Sequence, residues 1–178
     1  MRDGPPRALL IAAVIVAVSA VGVVLAIAIS RSHRQPPQRP LVISAVPAPQ
    51  ADSPECATLM GALPPRLGDY ARAAPVEPVP PATAAWRAPS NEQPIVLRCG
   101  VGRPGEFVVG VQLKVIDGVQ WFPIPDEGAD RTTWLVVDRA VYIALTVPKG
   151  SGATPVQQMS DIVAAKLPAM PIRPGPPQ

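Results

Sequence analysis

An uncharged run of 23 residues, from Ala8 to Ser30, constrains the fold of this chain more than any other feature. As a helix with a rise of about 1.5 Å per residue it spans roughly 34 Å, which exceeds the ~30 Å hydrocarbon core of a bilayer. In lipid, a helix is the form in which a single segment satisfies its own backbone hydrogen bonds. We therefore predict that residues 1–30 form a short tail and a transmembrane signal anchor, with Ala8 to Ser30 in the lipid bilayer.

The C-terminal flank of this run leaves a second interpretation open. The A-x-A tripeptide at 26–28 resembles a signal peptidase site, after which a secreted protein would begin at Ile29. The run is longer than the roughly 7–15 apolar residues of a signal peptide, which favours an uncleaved anchor. Charge does not settle the orientation, because three arginines follow the run and two precede it.

The net charge of +3 is unevenly distributed along the chain. Residues 1–40 contain five Arg and one Asp, whereas residues 41–178 contain eleven Lys or Arg and twelve Asp or Glu. Binding of nucleic acid requires a basic face on the folded part of a protein, so no nucleic acid partner is expected. The arginines that flank the apolar run are expected to contact lipid head groups.

Proline, with 26 residues in the chain, sets the remaining boundaries. Residues 31–53 are predicted to form an extended linker, because proline disfavours helices and sheet ladders. His33, the single histidine of the chain, lies in this linker and is interpreted as a solvated residue rather than a pH sensor. Residues 54–168 are predicted to form the folded domain, and residues 169–178 a disordered Pro-rich tail.

The residue pattern of the domain predicts two helices and five strands. Ser53-Pro54 suits the start of one helix, and Thr154-Pro155 the start of the other. Strands are predicted at Ile95–Cys99, Phe107–Ile116, Val119–Phe122, Thr132–Val137 and Val141–Val147. Asp117-Gly118 suits a two-residue hairpin turn. The predicted fold class is an N-terminal transmembrane helix plus a small α+β domain, with a mostly antiparallel sheet of about five strands flanked by two helices.

The two cysteines, Cys56 and Cys99, fall at the ends of the first predicted helix and the first predicted strand. A bond between them closes a ring of about 44 residues and stabilises the fold by roughly 4 kcal/mol in the chain-entropy model. The alternative is two separate buried thiols. A single pair of cysteines behind an export-like N-terminus favours the disulfide, and a disulfide favours a location outside the cytoplasm. The expected location is thus the plasma membrane, single-pass, with the C-terminal domain outside the cytoplasm.

Several short motifs follow one another in order: Cys56, Leu63-Pro64, Ala85-Trp86, IVLRCGV at 95–101 and DGVQW at 117–121. In this order they resemble an actinobacterial family that is catalogued as domain of unknown function 3515, over roughly residues 54–167. The resemblance implies a short membrane-anchored or secreted envelope protein, and it supplies no catalytic residue. Arg87 departs from the family pattern, in which glycine follows the Ala-Trp pair.

Catalytic chemistry finds little support in the residues of the domain. The absence of histidine there excludes Ser-His-Asp and Cys-His nucleophile systems, and it leaves no His or Cys cluster for a metal. We expect neither a cofactor nor a metal, and we expect that the protein is not an enzyme. Asp126, Glu127 and Asp130 form one acidic cluster, and a carboxylate-dependent envelope enzyme built on them is the alternative.

Three residues are candidates for contact with a ligand or partner: Arg98, Trp86 and Trp121. Arg98 either pairs with a carboxylate such as Asp117 or Asp138, or presents its planar donor fork to an anionic ligand or partner. The two tryptophans are either core residues or part of a stacking platform.

The function expected from these features is that of a membrane-anchored extracytoplasmic envelope protein. It would be a non-enzymatic binding or accessory module whose partner is an envelope protein or a cell-wall component. The alternatives are the carboxylate-dependent envelope enzyme and a cleaved, secreted protein that binds a small ligand.

Overall fold

The computed structural model describes residues 7–33, 40–89 and 91–177. The chain divides into two compact units between Arg39 and Pro40. In the first unit a single helix, α1, runs over Arg7–His33. The second unit contains the predicted domain, together with parts of the chain on both sides that were expected to lie outside it.

The predicted membrane anchor is not supported by the first unit. Across the described part of the chain, no helix meets the combined demands of length and apolar character for a membrane span. The predictions of a transmembrane signal anchor and of a single-pass location in the plasma membrane are therefore wrong.

The second unit is built on one antiparallel sheet. Its strands are β1 Arg66–Leu67, β2 Tyr70–Ala73, β3 Thr83–Ala88, β4 Asn91–Val101, β5 Lys114–Ile116, β6 Val119–Asp126, β7 Arg131–Val136 and β8 Tyr142–Pro148. They are ordered β1-β2-β3-β4-β8-β7-β6-β5. Two meanders of four strands therefore meet at the antiparallel pair of β4 and β8. The described residues thus form eight strands, and the prediction of about five strands is wrong.

The additional strands lie in a stretch for which the sequence pattern predicts no strand. β1, β2 and β3 fall between Arg66 and Ala88, where alanine, arginine and proline dominate and β-branched residues are few. Strand propensity depends on packing against neighbouring strands, so such residues become strands where a partner is already in place. β4 supplies that partner, because Ala84 pairs with Leu97 and Ala85 with Val96.

The segment with the clearest alternation, Phe107–Ile116, is a strand only at its end. Phe107 is fully buried, whereas Val109 is 58% exposed and Val115 is 71% exposed. Gly110 has a φ of 93°, and this left-handed residue interrupts the extended backbone. The hairpin turn that follows is confirmed, because Asp117 and Gly118 have φ values of 48° and 76° between β5 and β6.

Two helices pack on one face of the sheet, as predicted. α2 spans Pro54–Ala62 and α3 spans Thr154–Lys166. The Oγ atom of Ser53 accepts a hydrogen bond of 3.2 Å from the Cys56 backbone N–H, which caps α2. The core between helices and sheet contains Leu59, Trp86, Leu97, Trp121, Ile143, Leu145, Met159 and Val163. Burial of each large apolar side chain stabilises the fold by roughly 1.5–3 kcal/mol.

The opposite face of the sheet is covered by irregular chain. Residues 40–46, which we call the strap, lie over β3 and β4, where Leu41 and Ile43 pack against Ala85 and Val96. Phe107 packs farther along the same face, with Leu135, Val137 and Tyr142. The linker predicted at 31–53 is therefore packed against the sheet from the strap onward, because two apolar side chains among its prolines find a buried surface.

The chain after α3 also differs from the predicted disordered tail at 169–178. The Met170 backbone N–H donates to the carbonyl oxygen of Asp138 at 2.9 Å. Gly175 exchanges two backbone hydrogen bonds with the chain at Phe107 and Val109, of 2.8 and 3.0 Å. Backbone bonds hold this Pro-rich segment at Met170 and Gly175, and such bonds leave no pattern in the sequence.

Candidate functional site

The two cysteines are joined. Cys56 and Cys99 form a disulfide with an S–S distance of 2.01 Å and a Cα–Cα distance of 5.6 Å. The predicted disulfide is confirmed. It connects the first turn of α2 to β4, and it lies next to Arg98 in the sequence. The strand that carries the strongest candidate for ligand contact is thereby fixed to the helical layer.

The two candidate tryptophans belong to the core. Trp86 and Trp121 are fully buried. The indole Nε1–H of Trp86 donates to the carbonyl oxygen of Pro64 at 3.0 Å. That of Trp121 donates to Ser160 Oγ at 2.9 Å. Each ring therefore has an internal partner for its polar atom, and neither presents a face to a ligand.

The acidic cluster lies at the connection between β6 and β7. Asp126 forms an ion pair of 2.9 Å with Arg131, and Asp130 one of 3.4 Å with Lys149. Both pairs are well exposed to solvent, where such interactions contribute little to stability. Within the described ranges, no group of three or more His, Cys, Asp or Glu side chains is arranged to hold a metal ion. The carboxylates are thus directed to cations on the same surface rather than to one another across a cleft.

Arg98 lies on the sheet face opposite the helices, in a groove of about 530 Å³. Neither carboxylate considered from the sequence is its partner. Asp138 pairs with Arg139 at 2.9 Å, and both are almost fully buried. Asp117 occupies the exposed turn between β5 and β6. Among the described residues, the Arg98 guanidinium donates one hydrogen bond, from Nη2 to the carbonyl oxygen of Ser44 in the strap, at 3.3 Å.

The floor of the groove consists of alternate residues from four adjacent strands. Their side chains share one sheet face because residues two apart along a strand point the same way. They are Val96 and Arg98 of β4, Thr146 and Pro148 of β8, Thr133 and Arg131 of β7, and Asp126 of β6. At the centre Thr133 pairs with Thr146 across the two strands, and their Oγ1 atoms lie 3.0 Å apart. The strap forms one wall through Val42, Ile43, Ser44 and Val46.

The groove carries an excess of positive charge. Burial lowers the pKa of Arg98, and the positive charge of Arg131 lowers it further. Arg131 donates from Nε and Nη2 to one oxygen of Asp126, at 3.0 and 2.9 Å. The charged residues of the lining are therefore two guanidinium groups and one carboxylate. An anion between them would reduce the repulsion between the two arginines and would accept hydrogen bonds from both.

Sequence reasoning singled out Arg98 but missed the residues that complete the groove. Arg131, Thr133 and Thr146 are individually unremarkable in the sequence. The sequence pattern that points to them is the alternation along β7 and β8. It places these polar side chains next to one another on one face of the sheet, but only when the register of the two strands is known. No sequence pattern indicated that the strap forms a wall of the groove, because the prolines of this segment predicted a linker.

Comparison with known proteins gives one match. Neither the curated proteins nor the solved structures contain a match to this chain. The model of the family described as "Protein of unknown function (DUF3515)" matches residues 14–172. This range covers most of the chain, includes the whole sheet and both helices that pack on it, and confirms the resemblance noted from the motifs. The chain therefore belongs to the DUF3515 family of proteins of unknown function.

Proposed function

We propose that the unit formed by residues 40–178 is a non-catalytic binding module that holds an anionic group in the groove over Arg98. One observation carries this proposal: a half-buried guanidinium group lines a groove and has no carboxylate partner among the described residues. Arginine binds carboxylate and phosphate through a planar fork of donors. Nη2 of Arg98 donates to Ser44, and its buried Nε has no hydrogen-bond partner among the described residues.

The energetics of the groove support a role in binding. Removing a charge from water costs free energy, and the cost is usually offset by an ion pair. Within the described part of the chain, Arg98 receives the dipole of the Ser44 carbonyl group and the repulsion of Arg131. An ionisable group in a cleft with a perturbed pKa is a candidate for a functional site. A bound anion would offset the free-energy cost of removing the Arg98 charge from water.

The chemistry of the lining favours binding over catalysis. Its one carboxylate, Asp126, already accepts two hydrogen bonds from Arg131. The hydroxyl groups of Thr133 and Thr146 are hydrogen-bonded to each other, and none of the described hydrogen bonds joins either of them to Asp126. These groups can orient and hold an anion, and they do not form a nucleophile–base pair.

The disulfide supports a location in an oxidising compartment outside the cytoplasm. Structural disulfides persist in secreted and envelope proteins and are rare where thiol reductants are abundant. The Cys56–Cys99 bond is buried. The partner would accordingly be a component of the cell envelope or its surroundings that carries an anionic group.

A titration of the full chain with inorganic phosphate, followed by the melting temperature and by calorimetry, tests the proposal. Arg98→Gln is compared with Arg66→Gln, because Arg66 also donates Nη2 to a backbone carbonyl at 3.3 Å but lies on the exposed edge strand β1. Phosphate should raise the melting temperature of the native chain and of Arg66→Gln, and it should leave that of Arg98→Gln unchanged. An equal response of all three proteins, or none in any of them, would refute the proposed function.

A further inference from the structure

The groove over Arg98 is chemically two-sided. On the side of β8 and β7 lie the hydroxyl groups of Thr146 and Thr133 and the guanidinium of Arg131. On the side of the strap and β4 the lining is apolar apart from Arg98, Ser44 and Gln93, and its apolar residues are Val42, Ile43, Val46, Pro94 and Val96. A small inorganic anion would contact the two guanidinium groups and the threonine hydroxyl groups, and it would leave the apolar part of the lining unused.

The register of the strands shows how the two sides are connected. Arg98 lies beside Ala144, Val96 beside Thr146, and Thr146 beside Thr133. Arg131 lies beside Pro148, two residues along the strand from Thr133 and thus about 7 Å away. The two guanidinium groups therefore approach the central threonine pair from opposite corners. Val96 and Pro94 continue from this centre along β4, under the strap.

The strap carries apolar side chains that the fold itself does not use. Val42 is 76% exposed and Val46 is 42% exposed, although both line the groove. Their neighbours Leu41 and Ile43 are buried against the sheet and attach the strap to it. Val42 and Val46 thus form an apolar rim above a cationic floor.

We infer that the ligand of this groove is an amphiphilic anion, in which a small anionic head carries an aliphatic chain. The inference rests on the proposed function, because the head occupies the anion position between Arg98 and Arg131. The chain lies along Val96 and Pro94, beneath Val42 and Val46. A volume of about 530 Å³ falls within the range of pockets that hold small organic ligands, and it exceeds what a bare anion fills.

The experiment measures the affinity of the full chain for acetate, butanoate, hexanoate and octanoate, with inorganic phosphate and 1-octanol for comparison. Each buried methylene group should raise the affinity about fourfold, until the groove is filled. 1-Octanol lacks the head and should bind far more weakly than octanoate. Octanol binding as tight as that of octanoate would overturn the anionic part of the inference.

Matched variants separate the inference from the proposed function. Val42→Asn should weaken octanoate binding about fourfold, the effect of roughly one methylene group, and leave acetate binding unchanged. Val115→Asn is the control, because Val115 is 71% exposed and lies on the distant edge strand β5. Affinity that does not depend on chain length, with phosphate and acetate still bound through Arg98, would overturn the inference alone. Failure of every anion to bind would overturn the proposed function and the inference together.

Discussion

The backbone N–H of Gln50 donates a hydrogen bond of 3.1 Å to the carbonyl oxygen of Gly100. This bond docks the segment that leads into α2 on the end of β4, one residue after the disulfide. Gly100 has a φ of 78°, and a Cβ atom at this position would collide with the backbone of Gln50 and Ala51. Glycine is required here both by its backbone conformation and by the close approach of another segment.

Replacement of Gly100 should destabilise the fold strongly. Gly100→Ala is expected to lower the free energy of unfolding by about 2–4 kcal/mol, because the left-handed conformation and the backbone collision both oppose a side chain. Gly102→Ala is the matched control, since no atom lies within 4 Å of the position that its new methyl group would occupy and its φ is not positive. Urea unfolding of both variants measures the difference, and similar midpoints would contradict the role assigned to Gly100.

Loss of the disulfide should lower the free energy of unfolding by an amount similar to that expected for Gly100→Ala. The bond closes a ring with a sequence separation of 43. In the chain-entropy model, opening such a ring lowers the free energy of unfolding by about 4 kcal/mol. The double replacement of Cys56 and Cys99 by alanine should therefore unfold at a markedly lower denaturant concentration than the oxidised chain. Alkylation with and without prior reduction verifies the oxidised state, and an unchanged midpoint would argue against this magnitude.

Removal of the Arg98 charge should not destabilise the free protein. Burial lowers the pKa of Arg98 in the folded state, so the charged form is less favourable there than in the unfolded chain. This penalty is present at every pH below the folded-state pKa. Arg98→Met should thus leave the free energy of unfolding unchanged or raise it by up to ~1 kcal/mol, a range that allows for solvent screening.

The pH dependence checks this explanation of Arg98. Arginine stays protonated throughout the neutral range, so the difference between Arg98→Met and the native chain should be the same at pH 6 and at pH 9. Unfolding curves at both values measure it. A large loss of stability on replacement would identify Arg98 as a structural residue, and the case for an anion site would then fall.

The Trp121–Ser160 hydrogen bond should contribute measurably to the core. Both side chains are fully buried, and Ser160 Oγ also donates to the carbonyl oxygen of Val156 at 2.8 Å. Trp121→Phe should lower the free energy of unfolding by about 3 kcal/mol or less, from the lost volume and the lost bond. Combined with Ser160→Ala in a double-mutant cycle, it should give a coupling of about 1 kcal/mol. A coupling near zero would mean that the bond is not formed in solution.

Local chemistry predicted some elements of the fold correctly. Ser53 caps α2, Asp117 and Gly118 form the turn that their conformational preferences indicate, and the disulfide joins the two cysteines. These features depend on a few neighbouring residues or on a unique pairing. The alternation at 107–115 was misleading, because a strand also needs a continuous extended backbone and a partner, and Gly110 with its φ of 93° interrupts that backbone.

The residues of the groove could also be predicted only in part from the sequence. Arg98 stood out because a charge between apolar strand residues is unusual, whatever the fold. Arg131 and the two threonines reach it only through the order of β4, β8 and β7 in the sheet. That order depends on the crossover from β4 to the far edge strand β5, a long-range choice that no local pattern records.

The strap has a mechanical consequence. It is both a wall of the groove and the point at which the second unit begins, and its attachment rests on Leu41, Ile43 and the Val76 N–H bond of 2.9 Å to the Leu41 carbonyl oxygen. A pulling force at residue 40 would load these contacts before any strand of the sheet. The strap would then peel from its N-terminal end, and Val42 and Ser44 would leave the groove while the disulfide-linked floor stayed intact. Under the proposed function, retention of an anion in the groove would thus respond to tension along the chain.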